Sequence, residues 1–67
     1  MCQMRIILKQ GDNQEVVLEN AAFLKVTADG ILINALFEPP RLIQGAAVSG
    51  IDFLENTVTV TRDGGKA

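Results

Sequence analysis

The stretch that decides the fold is FLKVTADGILINALF, residues 23–37. Two runs rich in β-branched and aliphatic residues, 23–28 and 31–37, flank the dipeptide Asp29-Gly30. An Asp-Gly pair between two such runs is a strong hairpin signal, because a type I′ turn needs positive φ at both central residues. The second run is apolar on both faces, which is typical of a central strand or of one covered by a second chain. One face of that run carries Ile31, Ile33, Ala35 and Phe37.

Further strands are predicted where short apolar runs are bounded by turn residues. These runs are 4–9, 15–19, 46–53 and 57–62. In the last run we place Val58 and Val60 inward and the alternating threonines outward. Gly50 marks an expected bulge. The interruptions are a turn at 10–13, a weak break at 20–22, an exposed proline loop at 38–41 and a turn at 54–56.

Five to six short strands without a convincing helix predict an all-β fold. We expect one small antiparallel β-barrel of the SH3 or Sm type over residues 1–62, because closure removes sheet edges. Residues 63–67, which are polar and glycine-rich, are expected to form a flexible C-terminal tail. The three aromatic residues are expected to fill the core of the barrel. They are Phe23, Phe37 and Phe53.

The length of the chain predicts a homodimer. A core built from 67 residues supplies only about 3–5 kcal/mol by itself. The chain has one cysteine, so no disulfide can form within it. Since 48% of the residues are hydrophobic, a second copy is the simplest source of additional buried area.

Composition also excludes several functions. A net charge of −2 offers no field for nucleic acid or for an anionic membrane surface. The absence of histidine excludes a histidine base and a histidine zinc site within one chain, and no carboxylate pair has a catalytic spacing. We therefore expect a non-enzymatic protein. Without an export signal or a membrane-spanning run, an unpaired cysteine fits the cytoplasm.

Cys2 is the one residue whose chemistry suggests a ligand. If Met1 is removed, Cys2 carries both an α-amine and a thiol, which can chelate a metal ion, and the backbone amide of Gln3 could add a third donor. Thiolate and nitrogen donors in a flat arrangement suit Ni(II) or Cu(II). The alternative is a buried thiol, because Cys2 shares a strand face with Met4 and Ile6 and free cysteine is often a core residue.

Several segments together resemble the CooT-like family of small nickel-binding proteins. They are the start Met1-Cys2, the first strand 4–9, and the segments 35–38, 45–48, 51–53 and 57–60. The resemblance spans nearly the whole chain. It implies a homodimeric β-barrel linked to nickel delivery for carbon monoxide dehydrogenase maturation. It also implies a metal site made by Cys2 of two chains, with nitrogens such as the Gln3 amide completing it, and a client metalloenzyme as partner.

Two other interpretations remain open at this point. One is an Sm-like or OB-like module that binds RNA or a protein, with Cys2 merely buried. The other is a HypC-like hydrogenase maturation chaperone without a stable metal site. HypC-type chains also begin Met-Cys, but they continue with an Ile-Pro-Gly-like segment, and this chain has Met4-Arg5-Ile6 instead.

Overall fold

A computed structural model describes residues 3–62, which form six β-strands. None of these residues belongs to a helix long and apolar enough to cross a membrane. The all-β prediction is confirmed. Cys2 and the predicted tail 63–67 lie outside the described residues. The strands are β1 (Met4–Gln10), β2 (Asn13–Thr27), β3 (Gly30–Ala35), β4 (Arg41–Gln44), β5 (Ala46–Asp52) and β6 (Thr57–Arg62).

The strands form one mixed sheet in the order β4-β3-β2-β1-β6-β5. The prediction of a purely antiparallel sheet is wrong, because β1 and β6 pair in parallel, with Ile6 opposite Val58 and Leu8 opposite Val60. All the other neighbouring strands are antiparallel. Local hairpin signals predict only antiparallel neighbours, whereas the β1–β6 pair joins strands far apart in the chain.

The predicted closure into a barrel is also wrong. The edge strands β4 and β5 are separated in the chain by Gly45 alone, so two of their ends are adjacent, yet no ladder joins them. Gly45 has φ of 70° and donates its N–H to the carbonyl oxygen of Asp29 at 3.0 Å. Pro39 and Pro40 directly precede β4 and have no N–H to donate, which keeps this edge strand to four residues.

The predicted break at 20–22 is a bend within one strand. β2 runs unbroken for 15 residues, and its first half pairs with β1 while its second half pairs with β3. The register shifts between Ala21 and Phe23 against β3, and between Met4 and Ile7 against β1. Such irregularities bend a strand and increase its twist. They allow one long strand to pair with β1 along its first half and with β3 along its second half.

The β2–β3 hairpin exists, but its turn is not of type I′. Its central residues are Ala28 and Asp29, and neither has positive φ. The hydroxyl oxygen of Thr27 accepts hydrogen bonds from the N–H of Asp29 at 3.2 Å and of Gly30 at 3.1 Å, which stabilises a different turn. Gly30 has φ of 150° and is the first residue of β3.

The core is made of aliphatic side chains. Ile31, Ile33 and Ala35 on β3 are buried, as predicted, and so are Val58 and Val60 on β6. Three aspects of the prediction are wrong. Phe37 does not continue the buried face of β3, all three phenylalanines are exposed, and Thr57 is buried, with its hydroxyl donating to the Glu55 carbonyl oxygen at 3.0 Å. The other buried hydrophobic residues are Ile6, Leu8, Leu18, Ala21 and Ile43.

Most of the remaining strand and turn predictions agree with the structure, but the edge strand β4 was not predicted. The turn after β1 lies at Gly11 and Asp12, the proline loop is exposed, and residues 53–56 turn the chain into β6. β5 contains the expected irregularity, since its register against β6 shifts between Val48 and Gly50. Arg41 was expected in the proline loop, but it begins β4, because pairing with β3 holds residues 41–44 extended.

Candidate functional site

The candidate site lies at the end of the sheet from which β1 starts. Gln3 is exposed and directly precedes β1. Cys2, which would supply the predicted thiol donor, lies outside the described residues, so the structure gives the position of the Gln3 amide alone. β1 lies between β2 and β6. At its start, the N–H of Arg5 donates to the carbonyl oxygen of Asn56 at 2.8 Å. The beginning of β1 is therefore fixed on both sides.

Strand pairing brings several chain segments to this same end, which we call the chain-start end. Met4 pairs with Ala21, and Ala21 pairs with Ala35, the last residue of β3. On the other side, Arg5 pairs with Thr57, which pairs with Asp52, the last residue of β5. The β3–β4 loop and the β5–β6 turn therefore leave the sheet where the chain enters it.

Large apolar side chains are exposed at the chain-start end. Each of them lies within two residues of Ala21, Ala35 or Asp52 in the sequence. We call these five residues the apolar rim. They are Phe23 (49% exposed), Leu36 (64%), Phe37 (101%), Phe53 (80%) and Leu54 (95%). Monomeric proteins seldom group so much exposed apolar surface without a binding role.

A half-open apolar groove of about 100 Å³ lies beside the start of β1. Core side chains form its floor, and the bend of β2 forms one wall, so the hydrophobic interior reaches the surface here. The residues that line it are Met4, Ile6, Ala21, Ala22, Phe23, Leu24 and Val58. The groove and the apolar rim share Phe23.

The opposite end of the sheet is polar. The guanidinium of Arg62 donates from Nη2 to Gln10 Oε1 at 3.1 Å and from Nη1 to the Gln44 carbonyl oxygen at 3.4 Å. These two contacts connect β6 to β1 and to the edge strand β4. The two ends therefore differ in chemistry: one is cross-linked by hydrogen bonds, and the other exposes apolar side chains.

The described part of the chain offers no ready-made metal site. Among residues 3–62, no group of three or more His, Cys, Asp or Glu side chains could hold a metal ion. The carboxylates therefore do not supply a cluster of hard oxygen ligands there. The sulfur that these residues place at the chain-start end is the thioether of Met4, which lines the groove.

Sequence reasoning missed the apolar rim. It assigned the phenylalanines to the core because large aromatic residues usually fill cores. Their neighbours carried the contrary signal: Phe37 directly precedes Glu38-Pro39, and Phe53 directly precedes the turn residues Leu54 and Glu55. A large apolar residue beside a turn has no strand to hold it over the core.

The fold and this end of the sheet define a class of protein: a small all-β domain with a group of exposed apolar side chains at one end. A family model described as "CO dehydrogenase accessory protein CooT" matches residues 1–61, so the chain belongs to the CooT family. The family resemblance inferred from the sequence is thereby confirmed.

A solved structure has the same fold. The crystal structure described as "putative CooT from Carboxydothermus hydrogenoformans" is 22% identical in sequence and superimposes with a TM-score of 0.78. The match covers 92% of this chain and 98% of that one. No curated protein matches the sequence.

Proposed function

We propose that this chain is a non-enzymatic, nickel-binding accessory protein that works as a homodimer in the cytoplasm. It delivers or stores nickel for maturation of a metalloenzyme of the carbon monoxide dehydrogenase type, and Cys2 of two chains holds the metal. Membership of the CooT family, whose description is that of a carbon monoxide dehydrogenase accessory protein, is the observation that carries this proposal.

The donor chemistry of the chain supports a soft or borderline metal. The thiolate of Cys2 and the backbone nitrogen of Gln3 are donors that suit Ni(II). Residues 3–62 hold no cluster of carboxylates for a hard cation. One chain contributes a single thiolate, and two chains contribute two, so a shared site has a more complete set of soft ligands than a site on one chain.

The apolar rim supports the homodimer. Its five residues expose on the order of 700 Å² in total, taking a full large side chain as roughly 150–250 Å². A standard protein interface buries about 800 Å² from each partner. Because the rim lies at the chain-start end, pairing two copies through it brings the two chain starts toward one interface.

Nickel titration of the full-length, untagged protein tests the proposal. Thiolate-to-nickel charge-transfer absorbance should saturate at one ion per two chains, and intact mass on the same sample shows whether Met1 is retained. Cys2→Ser should abolish these bands while the far-ultraviolet circular dichroism spectrum stays unchanged. Met4→Leu, which removes a nearby sulfur at similar volume, is the matched control and should titrate like the parent. Full nickel binding by Cys2→Ser would refute the assignment of the ligand.

A further inference from the structure

Phe37 is held in an unusual position. Its side chain is fully exposed at 101%, so the ring packs against none of residues 3–62 of its own chain, and its backbone has φ of 65°. A bulky residue in the left-handed region is a genuine outlier, and glycine or asparagine would be favoured there. Strained backbone of this kind concentrates at functional sites, where the exposed side chain has a use that compensates for the strain.

A receptor for such a ring exists at the same end of the sheet. The half-open groove beside Met4 and Ala22 is lined by apolar side chains and has a volume of about 100 Å³. An engineered apolar cavity of roughly 150 Å³ holds a benzene molecule. Because this groove is open on one side, a ring can fill it while its remaining edge stays under the neighbouring rim residues.

We infer that Phe37 of one protomer inserts into the groove of a second copy of the chain, and that the second copy returns the same contact. The inference deepens the proposed function, since it names the anchor of the dimer that would carry the shared nickel ion. The surfaces that meet are the apolar rims, with the two Phe37 rings and the two grooves as their centres.

The observations favour a second copy as the occupant. In a two-fold symmetric interface, each protomer presents both halves of every contact, and here the ring and the groove lie at one end of one chain. The rim exposes on the order of 700 Å², which matches the area that each partner of a stable complex contributes. Aromatic side chains that fill a desolvated pocket near the centre of an interface carry much of the binding energy.

Sedimentation equilibrium on the full-length protein over a range of concentrations tests the inference. Phe37→Ala removes the ring, and Ala22→Glu, at an exposed position, places a carboxylate in the groove. Each variant should raise the dimer dissociation constant roughly thirtyfold or more. Val26→Ala is the control, because Val26 is 67% exposed but lies outside the rim, and it should change the constant less than about threefold.

Mixing the two variants gives the sharper result. A Phe37→Ala protomer keeps its groove, and an Ala22→Glu protomer keeps its ring, so one of the two contacts can form between them. The mixture should therefore dimerise more tightly than either variant alone. The inference would be overturned if each variant by itself formed dimers as tightly as the wild-type protein, or if the wild-type protein stayed monomeric.

Nickel binding separates this inference from the proposed function. If the wild-type protein shows the thiolate–nickel bands but Phe37→Ala dimerises normally, the nickel proposal stands and the anchor is wrong. If the bands are absent and the variants still dissociate the dimer, the anchor stands and the nickel proposal fails.

Discussion

A methyl group added to Gly30 would lie 2.9 Å from the Cα atom of Gln44 on the neighbouring strand, closer than real side-chain contacts allow. Gly30 also has φ of 150°, which disfavours any residue with a Cβ. The close approach of the two backbones occurs where β3 pairs with the edge strand β4. Gly45, the next residue, connects β4 to β5 at the other end of the strand order. This contact requires glycine for both steric and conformational reasons.

Gly30→Ala should therefore lower the free energy of unfolding by about 2–4 kcal/mol, combining overpacking with backbone strain. Urea unfolding followed by far-ultraviolet circular dichroism measures it. Gly11→Ala is the matched control: Gly11 has φ of 64°, but among residues 3–62 an added Cβ would have no heavy atom within 4 Å apart from its chain neighbours. It should cost only about 1–2 kcal/mol. Equal losses for the two variants would show that the contact with β4 is unimportant.

Phe37→Gly should stabilise the monomer while it weakens the dimer. Glycine relieves the backbone strain at φ of 65°, and within the described part of the chain the ring makes no packing contact that would be lost. We expect a gain of about 0.5–2 kcal/mol, measured by urea unfolding in the Ala22→Glu background to keep the protein monomeric.

The neighbouring substitution Leu36→Gly provides the comparison, because Leu36 does not have positive φ. It should destabilise by about 0.5–1 kcal/mol through added backbone entropy in the unfolded chain. A loss of stability at both positions would contradict the claim of strain at Phe37.

Thr27→Val should destabilise the β2–β3 hairpin. The hydroxyl oxygen of Thr27 accepts two backbone N–H groups in the turn, and valine of the same shape accepts none. The expected loss is about 1–2 kcal/mol by urea unfolding. Thr61→Val is the control, since the hydroxyl of Thr61 donates to Ser49 Oγ at an exposed site. That variant should lose less than about 0.5 kcal/mol.

Arg62→Met should loosen the polar end of the sheet. It removes the hydrogen bonds to Gln10 and to the Gln44 carbonyl oxygen while retaining much of the apolar stem. The expected loss is about 1.5–3 kcal/mol, with faster amide hydrogen exchange in β4. Arg41→Met should lose at most about 1 kcal/mol, because the contact of Arg41 with the Val17 carbonyl oxygen is exposed. Unchanged exchange in Arg62→Met would refute the cross-link.

Nickel affinity should fall steeply as the pH is lowered. Metal binding by two Cys2 thiolates displaces two protons at pH values where both thiols are protonated, and each Gln3 amide nitrogen that coordinates the metal releases one more. The affinity should therefore drop by at least roughly a hundredfold per pH unit there. Titrations at several pH values, monitored by charge-transfer absorbance, measure this slope. A slope of only tenfold per unit would mean that one proton is displaced per metal ion, which contradicts a site made by two Cys2 thiolates.

Much of the fold could be predicted from short-range patterns. Alternation in 57–62 located β6 and its inward residues Val58 and Val60, and the residues at 10–13 located the first turn. The family was also recognisable from the sequence. The break expected at 20–22 was instead a bend, because pairing with both β1 and β3 supplies backbone hydrogen bonds that local propensity does not include.

The sequence by itself determined most of the strand-forming residues, which side chains share a face within them, and that the one cysteine lies two residues before β1. Only the tertiary structure decided that β1 and β6 run in parallel, that the sheet stays open, and that Phe23, Phe37 and Phe53 are exposed at the end where β1 starts. The physical reason is that alternation along a strand is a local property. Whether a face is covered depends on which distant strand lies opposite it, and that is decided by the packing of the whole sheet.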